Sequence, residues 1–103
     1  MTVVDLAISD VTLSELARII RDPRKDAYVK TGRLEWLSAF ASGFTVVPVS
    51  PAIAHRAADY DFEHRDPCDR HILATAHVLG LPLATIDVTL TGCARLVGVT
   101  VLW

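Results

Sequence analysis

The chain has 103 residues, 51% of them hydrophobic, and a formal net charge of −2. That length holds one small domain with a single core, and the apolar content excludes a disordered chain. The slight acidity excludes a protein held on nucleic acid mainly by overall positive charge, so any such contact needs a local basic patch or a bridging metal.

Val3 to Ile8, apolar apart from Asp5, predicts a short opening strand. Thr12-Leu13-Ser14-Glu15 is a capping-box pattern, and Leu13, Leu16, Ala17 and Ile20 recur at helical spacing, so a helix follows. Asp22-Pro23-Arg24-Lys25-Asp26 breaks it. Leu34, Leu37, Phe40 and Ala41 predict a second amphipathic helix, ended by Ser42-Gly43. Phe44 to Val49 is β-branched and apolar and reads as a second strand, with Pro48 at an edge or at its end.

Ser50-Pro51 sets a cap and a first helical residue, and Ile53, Ala54, Ala57 and Ala58 are the expected buried side of a third helix. Asp59 to Arg65 is mostly polar and reads as an exposed loop. Asp66 is placed to cap a fourth helix opened by Pro67, with Cys68, Ile72, Ala76 and Leu79 as its apolar side and Gly80 as its end. Leu83-Ala84-Thr85-Ile86 reads as a short buried parallel strand carrying Asp87 at its carboxyl end. Val88 to Val97 is ambiguous between a short helix and a turn, and Val99 to Leu102 closes the chain as a last strand. The alternation β-α-α-β-α-α-β-(turn)-β predicts an α/β fold: a short, mostly parallel sheet of about four strands covered by helices, over residues 1–103 as one domain.

Cys68 and Cys93 stand at no metal-ligand spacing, which suits reduced thiols in a cytoplasmic protein. No leader pattern and no stretch of about eighteen apolar residues is present, so no membrane association is expected.

In open α/β sheets ligands bind beyond the carboxyl ends of the strands. Glu15, Asp69 and Asp87 are each predicted near that edge. Converging carboxylates repel one another and are tolerated together when a hard divalent cation, Mg2+ or Mn2+, neutralises them. Such a cation polarises a phosphodiester and lowers the pKa of a bound water. Each acid also has a purely structural explanation: a capping box for Glu15, the helix dipole for Asp69, a turn for Asp87. Arg65 and Arg70 flank the acidic motif and are candidates for phosphate contact. His55, His64, His71 and His77 fit no zinc spacing and read as surface or packing residues. Cys68 reads as a small apolar filler, and Trp36 and Trp103 as core or interface residues.

Three motifs in order, Ser9-Asp10-Val11-Thr12-Leu13-Ser14-Glu15-Leu16-Ala17, His64-Arg65-Asp66-Pro67-Cys68-Asp69-Arg70 and Leu83-Ala84-Thr85-Ile86-Asp87, with the closing Gly98 to Trp103, resemble a PIN domain. The nearest likeness is to VapC-type toxins of toxin–antitoxin pairs. The resemblance implies a three-layer fold, a magnesium or manganese ion held by acids, cleavage of RNA, a homodimer and inhibition by an antitoxin protein. Carried over by motif, Glu15, Asp69 and Asp87 are the catalytic metal-site acids, with Asp66 and Arg70 in support. The chain departs from the family in having no counterpart of the opening strand that ends in aspartate, or of the helix after it. Asp5 lies too close to Glu15 to serve as that acid. The resemblance is therefore to a PIN domain truncated at its N-terminus, and the site is expected to carry one carboxylate fewer. The lost strand is expected to be compensated by closure of the remaining sheet or by an intertwined or swapped dimer. A non-catalytic remnant acting as a dimerisation or antitoxin-binding module is the competing expectation.

Overall fold

In the computed structural model residues 6–63 and 66–102 are described. The expected start of the first strand at residues 3–5, together with Asp5, His64, Arg65 and Trp103, lies outside them. The chain forms two compact units, Met1–Pro48 and Val49–Trp103.

In the first unit, β1 (Ala7–Ser9) runs parallel to β2 (Thr45–Val47), with Ala7 opposite Thr45 and Ser9 opposite Val47. A parallel pair needs a crossover, which α1 (Asp10–Ile20) and α2 (Arg33–Ala41) provide. The cap of α1 is Ser9, not Thr12: the Ser9 hydroxyl accepts from the Val11 N–H at 3.3 Å. The helix thus starts directly at the strand end, and the predicted capping box falls inside it. Ile20 is fully buried at its end, where the Val29 N–H folds back onto the Ile20 carbonyl at 2.8 Å. α2 follows Gly32, whose φ of 68° suits a residue without Cβ. Its predicted apolar face exists only in part. No residue of α2 is buried, and Leu34 is 72% exposed.

In the second unit, α3 (Pro51–Asp59) packs on α4 (Pro67–Leu79). The cap-then-proline logic holds at both starts. Ser50 Oγ accepts from Ile53 N–H, and Asp66 Oδ1 accepts from Cys68 N–H at 2.9 Å. The buried side of α3 is Ile53 and Ala57; Ala54 and Ala58 are exposed. In α4 the expected stripe is displaced: Leu73, Ala74, Thr75 and Ala76 are buried, while Leu79 is 45% exposed. Four consecutive buried positions mean that the middle of α4 is enclosed on all sides, which a helical stripe cannot signal. Gly80 ends it at φ 66°, as expected.

The expected strands at 83–86 and 99–102 meet in a single parallel bridge, Leu83 to Val101, closed by Leu83 N–H to Thr100 O (2.8 Å) and Leu102 N–H to Leu83 O (3.0 Å). In place of a sheet of about four strands, the described residues form a two-strand sheet and this one bridge. The physical reason is local: Asp87 caps α5 (Val88–Leu96), so the chain turns into helix after a few extended residues, and Ile86 is left 80% exposed. α5 resolves the ambiguous stretch as helix, with Leu90, Cys93 and Ala94 buried.

Candidate metal-site acids and their surroundings

Glu15 lies in the second turn of α1, in the first unit, and is half-buried. With Ser9 as the cap, Glu15 is too far along the helix to close a capping box, and that structural explanation for it falls.

Asp66, Asp69 and Asp87 belong to the second unit, at two helix starts. Asp66 Oδ1 takes the N–H groups of Cys68 and Asp69 (2.9 and 3.4 Å), satisfying two of the donors that a helix start leaves unpaired. Asp69 is half-buried in the same turn. Asp87 is exposed and caps α5: its Oδ1 accepts from Leu90 N–H at 2.8 Å, and its own N–H donates to Thr85 Oγ1 at 3.1 Å. One accepted bond leaves most of the acceptor capacity of a carboxylate.

The two helix starts share an electrostatic neighbourhood. The thiol of Cys93, buried on α5, is pushed up chiefly by burial; Arg70 pulls it down, while Asp87 and Asp69 push it up further. Charges from α4 and from the cap of α5 thus reach one thiol.

Arg70 is the residue whose role sequence reasoning misses. Its Nε donates to Ala57 O (2.8 Å), one terminal nitrogen to Phe62 O (3.1 Å) and the other to Tyr60 O (2.7 Å). Its guanidinium also lies over the rings of Tyr60 and Phe62, at 5.8 and 5.1 Å from their centroids. A planar fork of donors suits this task, which a lysine could not perform. Arg70 therefore pins the α3–α4 connection to the first turn of α4, beside Asp66 and Asp69. The connection, expected as an exposed loop, has Tyr60 buried within it.

Tyr60 also bonds through its hydroxyl to His77 Nδ1 at 3.0 Å, with the two rings stacked. Burial pushes the Tyr60 hydroxyl up, and Arg56 and Arg70 pull it down. His71 Nδ1 lies 2.6 Å from Pro67 O, and because a carbonyl only accepts, that nitrogen carries the proton. His77 thus packs on Tyr60, while His71 bonds back onto its own helix. Trp36, expected in the core or an interface, is 39% exposed.

A cavity of about 300 Å3 in this unit is lined by His77, Gly80, Pro82 and Gly98. It lies at the far end of α4, where His77 stands about 12 Å along the axis from Asp69 by the helical rise, and none of the acids lines it. Among the described residues no group of three or more His, Cys, Asp or Glu is gathered as a metal cluster, and no helix is long and apolar enough to cross a membrane.

The family model described as PIN domain matches residues 2–94. The chain belongs to the PIN domain family. That membership points to a nuclease-type function, generally dependent on a divalent metal. No curated protein and no solved structure matches the chain.

Proposed function

We propose that this protein is a cytoplasmic, metal-dependent endoribonuclease of the VapC toxin type, with Asp69 and Asp87 of the second unit as metal-site acids. The observation that supports the reading is the match of residues 2–94 to the PIN domain family, together with the placement of Asp69 and Asp87 at two helix starts of the second unit. The donor set fits Mg2+ or Mn2+, because hard carboxylate oxygens suit these ions, and Mg2+ in particular is bound by one or two protein carboxylates, with water and substrate phosphates completing its shell. When bound, the ion supplies Lewis acidity toward a phosphodiester and a more acidic water. The chain's own part is to hold the carboxylates. Asp66 fixes the first turn of α4, and Arg70 ties that turn to the preceding loop. An antitoxin and a second copy of the chain are the partners this reading carries with it.

A second reading, a non-catalytic module that binds an antitoxin or its own copy, is favoured by the exposed apolar side chains Val78, Leu79 and Leu81 at the end of α4.

Titration calorimetry of Mn2+ into the protein, beside the variant Asp69→Ala/Asp87→Ala, separates the two. The nuclease reading expects about one site in the parent, none in the variant, and Mn2+-dependent cleavage of RNA by the parent only. Absence of binding in both supports the module.

A further inference from the structure

Positive charge is concentrated in one segment. Residues 18–36 hold six of the ten Lys and Arg against three acids, while the rest of the chain holds four against nine. One of those acids, Asp22, is already committed to Arg24, whose Nε and terminal nitrogen reach its carboxylate at 3.0 and 2.9 Å; the other two are Asp26 and Glu35. Arg21, Lys25, Lys30 and Arg33 are exposed. Aromatic rings are interleaved with them. Arg33 lies over the ring of Tyr28 at 5.9 Å, and one helical turn on from Arg33, Trp36 stacks on Phe40 at 5.5 Å with the planes 10° apart. Phe40 in turn meets Phe44 at 5.0 Å. The stack braces Trp36 from one side, while Tyr28 and Trp36 are 36% and 39% exposed.

Exposed rings set among cations on a protein of net negative charge match what a single nucleic-acid strand needs: stacking surfaces for unpaired bases and neutralisation of phosphates. A duplex keeps its bases stacked on one another and has no use for the rings. We propose that the α1–α2 connection and the start of α2 form a binding platform for single-stranded RNA, with Trp36 and Tyr28 stacking on bases and Lys25, Lys30 and Arg33 facing phosphates. The choice of RNA over DNA rests on the nuclease reading; the platform itself rests on charge and ring placement in the first unit.

The test is fluorescence anisotropy of a short labelled oligouridylate with the full chain in EDTA, so that no cleavage intervenes. In a Trp103→Phe background, Trp36 emission reports stacking directly. Expected are quenching of that emission on binding and a loss of affinity of about tenfold or more in Trp36→Ala. The double variant Lys25→Gln/Lys30→Gln should lower the slope of log K against log salt by about 1.4, and Leu34→Ala, exposed on the same helix, should bind as the parent does. Circular dichroism confirms that each variant is folded. The platform is overturned if a folded Trp36→Ala binds normally. It is equally overturned if duplex RNA or polyglutamate binds as tightly, or if the matching DNA strand binds tenfold tighter. Binding without any Mn2+-dependent cleavage would leave the platform standing and sink the nuclease reading. Undiminished cleavage by the Lys25→Gln/Lys30→Gln/Trp36→Ala variant would do the reverse.

Discussion

Helices α2 and α4 are both expected from the sequence to carry an apolar side, yet they are held in opposite ways. α4 is enclosed through its middle, capped by Asp66 at one end and Gly80 at the other, and pinned by Arg70. α2 buries no residue, starts at a glycine without a side-chain cap, and relies on an aromatic stack along its surface. The same contrast runs through the two units. Among the described residues Ile20 is the single buried hydrophobic of the first unit, and the remaining eleven lie in the second. A helix near the middle of a core is available for positioning acids, because its rotation and register are fixed by packing. A helix with its rings outward is available for contact.

The comparison is tested most severely by paired truncations. Leu73→Ala, at a fully buried site on α4, should cost about 2–5 kcal/mol in urea unfolding. Leu34→Ala on α2 should stay within about 0.5 kcal/mol. Equal losses would break the contrast.

Arg70 sharpens it next. Arg70→Ala leaves the carbonyls of Ala57, Tyr60 and Phe62 without their charged donor and should cost roughly 2–4 kcal/mol. Arg70→Lys should recover only a part, since one ammonium cannot serve three divergent acceptors. If the pinning also positions the acids, Mn2+ affinity should fall further than the melting temperature alone accounts for, and calorimetry on the folded variant reads that directly.

Removing a cap is a smaller perturbation. Asp66→Ala should cost about 1 kcal/mol and Asp66→Asn much less, because both Asp and Asn accept the Cys68 N–H. Hydrogen exchange in the first turn of α4 should rise in the alanine variant alone.

The smallest effect is expected at Asp22 in the first unit. Its carboxyl is held below the ordinary carboxylate range mainly by the Arg24 side chain. A depressed folded value means that the contribution is present at neutral pH and lost as the pH falls through it. Because the pair lies at the surface, with the Arg24 side chain 87% exposed, the gain is slight and screened by salt. A carbon-13 titration of the Asp22 carboxyl in Arg24→Ala should show its midpoint move up, with the unfolding midpoint at neutral pH unchanged.

Chain-local chemistry was legible from the start. Ser50-Pro51 and Asp66-Pro67 open helices and Gly80 closes one, because a cap is decided by a few neighbouring backbone groups and one side chain. The helical spacing around Leu13 to Ile20 was legible for the same reason, and the parallel pairing of the first two strands was legible from the helices between them, which a parallel connection requires. The shift of the α1 cap from Thr12 to Ser9 came from where the strand ends, which a capping box does not encode. Asp66, Asp69 and Asp87 were legible as residues at helix starts, but their shared influence on Cys93 depends on α4 and α5 lying side by side.

The sequence by itself determined where α3 and α4 begin and where α4 ends, that the chain alternates strands with helices, and that positive charge gathers between Arg18 and Arg33. Only the tertiary structure decided that the segments at Leu83 and Val101 meet in one bridge rather than two strands. The same is true of the four buried positions in succession on α4 and of Arg70 spanning 8 to 13 residues to three carbonyls. The reason is range: caps and turns are settled within a turn of chain, whereas burial and long-range hydrogen bonds depend on which surfaces the fold brings together.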